Sequence, residues 1–311
     1  MSAERLGIIL ILIGMSLFSI QDVFIKLIAN QVSLTQILFT RASLGSIFLI
    51  FYLWYTKRPI KLGSAYPLIA LLRSVSFFIG FTLFYVSISK ISLAEANSLF
   101  FVNPIIVTVL SIYFLGVSIG IHRISSVMVG FLGTLLIVKP SFSDFNWYML
   151  LPLITALFYS VGMLLAKVTS DKDNAFQQSF HLYLGGVVLC PIVTIIVMYV
   201  FPQFENSQFK FLYLPWVFND IDVLVSLLII ALTGTIGIFC LVFAYNIGSP
   251  QSNAPMEYVL LFYSLLSGFF IFEEIPDTLS FLGILLIIGS GVYVYVREEK
   301  RNQLVAVEKE R

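Results

Sequence analysis

Residues 253–272 read Asn253-Ala254-Pro255-Met256-Glu257-Tyr258, followed by the unbroken apolar run Val259 to Phe272. A carboxylate inside a stretch that could lie in lipid requires a reason. At helical spacing Asn253, Glu257, Leu261, Ser264 and Gly268 share one side, so polar and small residues form a stripe. Such a stripe belongs on a surface facing the interior of a helix bundle rather than hydrocarbon.

The whole chain has the same character. Of 311 residues, 59% are hydrophobic and only 11% charged, against about half and about a quarter in soluble domains. The fold class that follows is an all-α membrane protein. A net charge of +1 and dispersed basic residues exclude a nucleic-acid partner. Cys190 and Cys240 lie in apolar runs without CxxC or zinc spacing, and read as packing residues. The first apolar run carries Asp22 and Lys26, exceeds a signal-peptide core and lacks a small-residue cleavage site, so it is expected to be a retained span.

Stretches near the roughly 20 residues needed to cross a bilayer recur ten times. They are Leu6 to Ile28, Thr35 to Tyr55, Tyr66 to Ser87, Leu93 to Leu115, Ser125 to Val138, Trp147 to Lys167, Phe176 to Val200, Val223 to Ile247, Ser252 to Phe272 and Leu279 to Val296. Placing loops on alternate sides puts about twelve lysines and arginines with the N-terminus and four opposite, which predicts cytoplasmic termini.

The chain also repeats itself. Ser19 and Lys26 match Ser160 and Lys167, Arg41 falls opposite His181, and Phe84-Tyr85 matches Ala244-Tyr245, placing Asn97 opposite Glu257. Two halves of five helices follow, residues 1–140 and 141–297, with a cytoplasmic tail at 298–311. Five is odd, so the halves are inverted relative to each other, an architecture that places a transport site between repeats.

Asp22, Arg41, Arg73, Glu95 and Glu257 lie in or near spans, where each charge costs about 2.5–3.5 kcal/mol. A rise of about 1.5 Å per residue places Asp22 and Arg41 both roughly 9 Å from the outer ends of their helices, so they can meet. Arg73, His181 and Glu257 lie roughly 8–12 Å from the inner ends. Two polar layers are therefore expected: an outer one with Asp22, Arg41 and Glu95, and an inner one with Arg73, His181 and Glu257. Glu95 in a first helical turn also reads as a cap, and Lys26 and Lys167 as snorkelling residues. Asn103-Pro104 can open a helix backbone to a ligand. Tyr245 and Tyr258, beside polar positions, can stack on a planar substrate. The candidate substrate-binding or gating set is Asp22, Arg41, Arg73, Asn103, His181, Tyr245, Glu257 and Tyr258.

No GxxxxGK[ST] or HExxH pattern is present and no nucleophile-elbow context supports a hydrolase, so no ATP motor or metal centre is called for, and no cofactor. The runs Arg123-Ile124 through Gly130-Phe131-Leu132-Gly133 to Lys139-Pro140, and Ala254-Pro255-Met256-Glu257-Tyr258 through Phe272-Glu273-Glu274-Ile275-Pro276-Asp277, resemble the paired repeats of EamA-type drug/metabolite transporters. Gln36 to Arg41 and Leu71-Leu72-Arg73 fit the pattern too. Gly116-Val117 departs from it, since the family carries Gly-Glu there. The resemblance implies ten helices in two inverted repeats, a bacterial inner membrane, and a cavity lined by helices 1, 3, 4, 6, 8 and 9. Similar members take up S-adenosylmethionine or riboflavin, export amino acids or move carboxylates. The expectation is a secondary transporter working by alternating access on a small polar or amphipathic metabolite, with the lipid bilayer as surroundings. Proton coupling and a homodimer stay open, as do a membrane enzyme acting on a lipid-linked substrate and a passive channel.

Overall fold

The structure is a computed structural model. It describes residues 3–57, 61–116, 120–138, 147–200 and 210–273, with 278–279, 281–283, 285–286, 289–290, 293 and 296–297 beyond them. The expected tail at 298–311 and residues 201–209 of the loop that begins at Phe201 lie outside the described residues.

Every regular element among the described residues is helical. In order they are α1 (Ala3–Ile28), α2 (Leu34–Tyr55), α3 (Pro67–Ile88), α4 (Leu93–Phe100), α5 (Asn103–Leu115), α6 (Ile121–Val138), α7 (Leu150–Val168), α8 (Ala175–Val200), α9 (Lys210–Tyr213), α10 (Ile221–Ile247), α11 (Pro250–Asn253) and α12 (Val259–Phe272). Eight segments are long and apolar enough to cross a membrane, α4–α5 and the stretch Ala254–Phe272 each counting as one. The fifth expected span corresponds to α6, and the tenth is helical wherever it is described. Residues such as Tyr199 and Phe270, 83% and 74% exposed, can be tolerated only because lipid surrounds the bundle.

The helix ends follow from local chemistry. Ser33 caps α2 by accepting from Thr35 N–H. Ser92 and Glu95 close a reciprocal capping box on α4, so Glu95 is a cap and takes no part in an outer polar layer. Asp220 caps α10.

Two expected spans are not continuous. The fourth breaks after Phe100 and restarts at Asn103. The ninth runs through α11, a 3-10 segment at Ala254–Tyr258 and then α12. Proline causes both breaks: Pro104 and Pro255 lack an N–H and crowd the carbonyl four residues back. Backbone irregularity at this depth is tolerated only where protein surrounds it, and both breaks are buried.

The packing pairs reveal the two-fold relation of the halves. Helix α1 packs on α10 and α3 on α7; α3 meets α8 while α10 meets α2; α5 meets α7 while α1 meets α12. Each pair becomes its mate when the first five spans are exchanged for the second five, and α2 with α8 maps onto itself. The α1–α10 contact is close because both helices offer glycine there: a Cβ on Gly14 would stand 2.1 Å from Leu241 Cδ1 and 3.1 Å from the Gly237 carbonyl oxygen. Small residues bring membrane helices together where no hydrophobic drive exists between them and lipid.

Gly14→Val is therefore expected to cost about 1–3 kcal/mol by overpacking, seen as a lower thermal-unfolding midpoint in detergent. Gly63→Ala, at a site with open space around it, should leave the midpoint unchanged.

Candidate functional site

Between the halves lies a small cavity of about 50 Å³. Its wall comes from α1 (Met15, Phe18, Gln21, Asp22), α3 (Phe77, Gly80, Phe81, Phe84, Tyr85), α4 (Asn97, Phe100), α7 (Thr155, Tyr159) and α12 (Leu260). These residues run from the middle of the bundle toward the face opposite the N-terminus. The expected eighth span, α10, does not line it. All seven rings form a linked set: Phe81 stacks on Phe77 and Tyr85 at 5.8 and 5.9 Å and meets Phe18 at 6.4 Å, Phe100 meets Tyr159 and Phe84 at 5.2 and 5.8 Å, and Phe77 meets Tyr159 at 5.8 Å.

Polar groups flank this aromatic wall in separate clusters. At the first, Asp22 faces the cavity, and Arg41 lies close enough to act on its charge without forming an ion pair. Arg41 Nη1 donates to Tyr85 Oη at 3.1 Å, and Gln21 Nε2 donates to the same hydroxyl at 2.5 Å. The guanidinium lies 4.2 Å over the Phe81 ring, a cation–π contact. The expected meeting of Asp22 and Arg41 thus occurs through a shared neighbourhood in which Gln21 and Tyr85 make the bonds.

The second cluster is centred on Glu257, which is fully buried. Tyr245 Oη donates to Oε1 at 2.6 Å and Asn103 Nδ2 donates to Oε2 at 2.9 Å. Tyr159 stands beside the carboxylate, between it and the cavity. Both helix breaks serve this cluster, because Glu257 sits in the 3-10 segment and Asn103 opens α5. The matched residue Asn97 donates from Nδ2 to Ser264 Oγ at 2.8 Å. That bond is the neutral counterpart of the Glu257–Asn103 pair in the other half, Ser264 lying one residue from the position that matches Asn103.

The third cluster lies at the face where the chain begins. Arg73 Nη1 donates to Thr169 Oγ1 at 3.0 Å. His181 Nε2 is bonded to the Leu62 carbonyl at 2.5 Å, Gln177 Nε2 donates to the Gly63 carbonyl at 2.8 Å, and Asp173 accepts from Ala65 N–H at 2.8 Å and from the Ser64 hydroxyl. Segment 62–66 is thereby fastened to the α7–α8 turn and the start of α8.

Two corrections to the sequence-based expectations follow. Glu257 does not join Arg73 and His181 in one inner layer: along α7, Arg73 bonds Thr169 at the helix end whereas Glu257 stands beside Tyr159, roughly 15 Å deeper at about 1.5 Å per residue. Tyr258 points away from the cavity, donating to the Val127 carbonyl at 3.2 Å and filling the space left by Gly130, where a Cβ would meet it at 2.4 Å. Lys167 Nζ donates to the Asn246 and Gly248 carbonyls at 2.9 Å each and so closes the end of α10.

Against this geometry, the model of the EamA-like transporter family matches twice, at residues 5–139 and 146–296. The chain belongs to the EamA-like transporter family. Its relatives include the S-adenosylmethionine uptake transporter of Rickettsia bellii, 26% identical over 95% of both chains, and that of Rickettsia prowazekii, 24% identical over 94% of both. The pseudopaline exporter CntI of Pseudomonas aeruginosa is 24% identical over 91% of this chain and 93% of its own. A solved crystal structure superposes with a TM-score of 0.72 at 13% identity, covering 96% of this chain and 98% of the other, which supports the fold.

In this EamA-like transporter the Glu257 cluster is a test of burial chemistry. Tyr245→Phe should cost about 1.5–3 kcal/mol, because it removes a hydrogen bond to a buried acidic group. Tyr258→Phe, which loses only a longer bond to a backbone carbonyl, should cost less. Thermal unfolding of the two variants checks the order, and equal midpoints would contradict it.

Proposed function

We propose that the chain is a secondary transporter that moves a small, positively charged or amphoteric metabolite of the S-adenosylmethionine kind across the inner membrane, with both termini cytoplasmic. The observation that carries the proposal is an aromatic cavity between the halves with one acidic side chain, Asp22, in its wall. Aromatic faces bind planar rings and cations alike, and a carboxylate in an apolar wall gives a cation its orientation. S-adenosylmethionine joins a purine ring, a sulfonium and an amino-acid group in one molecule, which is the combination such a wall accommodates. The names of the relatives point the same way.

The arrangement of polar contacts supports alternating access between halves 1–140 and 141–297. The cavity occupies the half of the bundle remote from the N-terminus, and bonds join the halves both on that side, where Ser33, Gln36 and Ser87 meet Leu212, Val217 and Tyr148, and on the N-terminal side. There Leu62, Gly63, Ser64 and Ala65 engage His181, Gln177 and Asp173, while Asn103 engages Glu257 deeper in the bundle. In this reading the N-terminal side is closed and the opposite side leads to the site. Arg73 and His181 act in the closing contact, and Asn103, Tyr245 and Glu257 in the hinge region behind the cavity. Asp22 and Glu257, both buried and without an ion pair among the described residues, are the groups through which proton coupling would run.

Purified protein in proteoliposomes is expected to take up labelled S-adenosylmethionine saturably. Asp22→Asn should lower that uptake at least about tenfold, in line with loss of a charged hydrogen-bonding partner worth about 1.5–3 kcal/mol. Wild-type flux that rises linearly with concentration, or full uptake in Asp22→Asn, would contradict the proposal.

A further inference from the structure

Arg41 is 3% exposed, and only Nη1 has a hydrogen-bond acceptor; Nε and Nη2 have none. A buried guanidinium in this condition is costly unless an anion completes it, and the cation–π contact with Phe81 compensates only in part. Asp22 makes no ion pair with it, and the remaining neighbours are hydroxyls, an amide and rings. Tyr183 on α8 donates to the Gly234 carbonyl at 2.9 Å, and its oxygen lies beside the guanidinium. Nε is packed against Gly234, where a Cβ would stand 2.7 Å away. Nη2 has no partner in the structure and is the donor a ligand can take.

Phe81 separates that donor from the main cavity. Its ring belongs to the cavity wall and also to the wall of a second, smaller chamber bounded by Leu38, Ala42, Phe78, Leu182, Tyr183 and Gly186 together with Arg41 itself. Interiors are close-packed, so a ring turns readily only where empty space receives it. Phe81 has that space on its far side. With the ring turned into the chamber, the guanidinium stands at the edge of the cavity, on the same side as Asp22.

We propose that Arg41, covered by the movable Phe81 ring, is the carboxylate-recognising element of the transport site. The substrate class is then amphoteric: a cationic group is held by Asp22 and a carboxylate by Arg41. The inference rests on the reading of the cavity as a transport site and adds to it the second charge. It also gives Arg41 an anion only when substrate is present, so an occupied site is more fully satisfied than an empty one.

The test compares S-adenosylmethionine with its analogue lacking the α-carboxylate, by equilibrium binding to the full wild-type chain in detergent. The carboxylate is expected to contribute at least about tenfold in affinity. Arg41→Gln should bring S-adenosylmethionine down to the affinity of the analogue while leaving the analogue's own affinity unchanged, a change of ratio that a merely structural role would not produce. Equal binding of both compounds by wild type would overturn the proposal and leave the transport site standing. Failure to bind either compound would remove both. Because the wild-type comparison needs no variant, the proposal is decided even if Arg41→Gln does not fold.

Discussion

Hydrocarbon supplies no hydrogen bonds, so every polar group taken into the membrane must find its partner in the protein. Glu257 is the most demanding case in this chain, and much of the architecture answers to it. Its two oxygens take one donor from each half, Tyr245 from α10 and Asn103 from the start of α5. Reaching it requires both proline breaks, because an unbroken fourth span would not begin a helix at Asn103. The mate in the other half carries an amide at Asn97 bonded to Ser264. A symmetric frame therefore holds an asymmetric charge, and the acidic member is the one enclosed by two tyrosines and an asparagine.

The cavity follows from the same economy of polar groups. Its wall is built of rings because rings fill a membrane interior without demanding partners, and the few polar side chains it admits are placed at its margin. Gln21 and Arg41 both donate to the Tyr85 hydroxyl, which anchors α1 and α2 to α3 on one flank. Glu257 behind Tyr159 anchors the other. What remains facing inward is a carboxylate without an ion pair, a guanidinium under a ring, and an aromatic surface. In the proposed reading of the cavity as a transport site, those three features select for a ligand with both charge and a flat apolar part.

The spans, their number per half and their repeat were legible because each rests on a local property: the length of an apolar run, a cap such as Ser92 with Glu95, a recurring Phe/Ala-Tyr pair before an alanine. The nearness of Asp22 and Arg41 was legible from helix rise alone. The separation of Arg73 from Glu257 was not. Counting from helix ends gives them like depths, yet Arg73 bonds Thr169 at the end of α7 and Glu257 stands beside Tyr159 within it, and nothing in the spacing of either helix records which neighbour it meets. Gln21, Phe81 and Tyr85 carried no separate signal, since a glutamine beside an aspartate and aromatics at helical spacing read as packing until three helices bring them together. Tyr258 adjoins Glu257 in sequence and so appeared to share its site, yet consecutive residues in a 3-10 segment point about 120° apart, and it fills the space over Gly130 instead.

If the cavity is a carrier site reached in turn from either side, the direct measurement is counterflow. Proteoliposomes holding the wild-type chain are loaded with unlabelled S-adenosylmethionine, diluted into a trace of labelled compound, and followed over time. A carrier that alternates predicts that label rises transiently above its equilibrium level inside the vesicles and then declines. Label that climbs monotonically to equilibrium, or does not enter, would contradict the account.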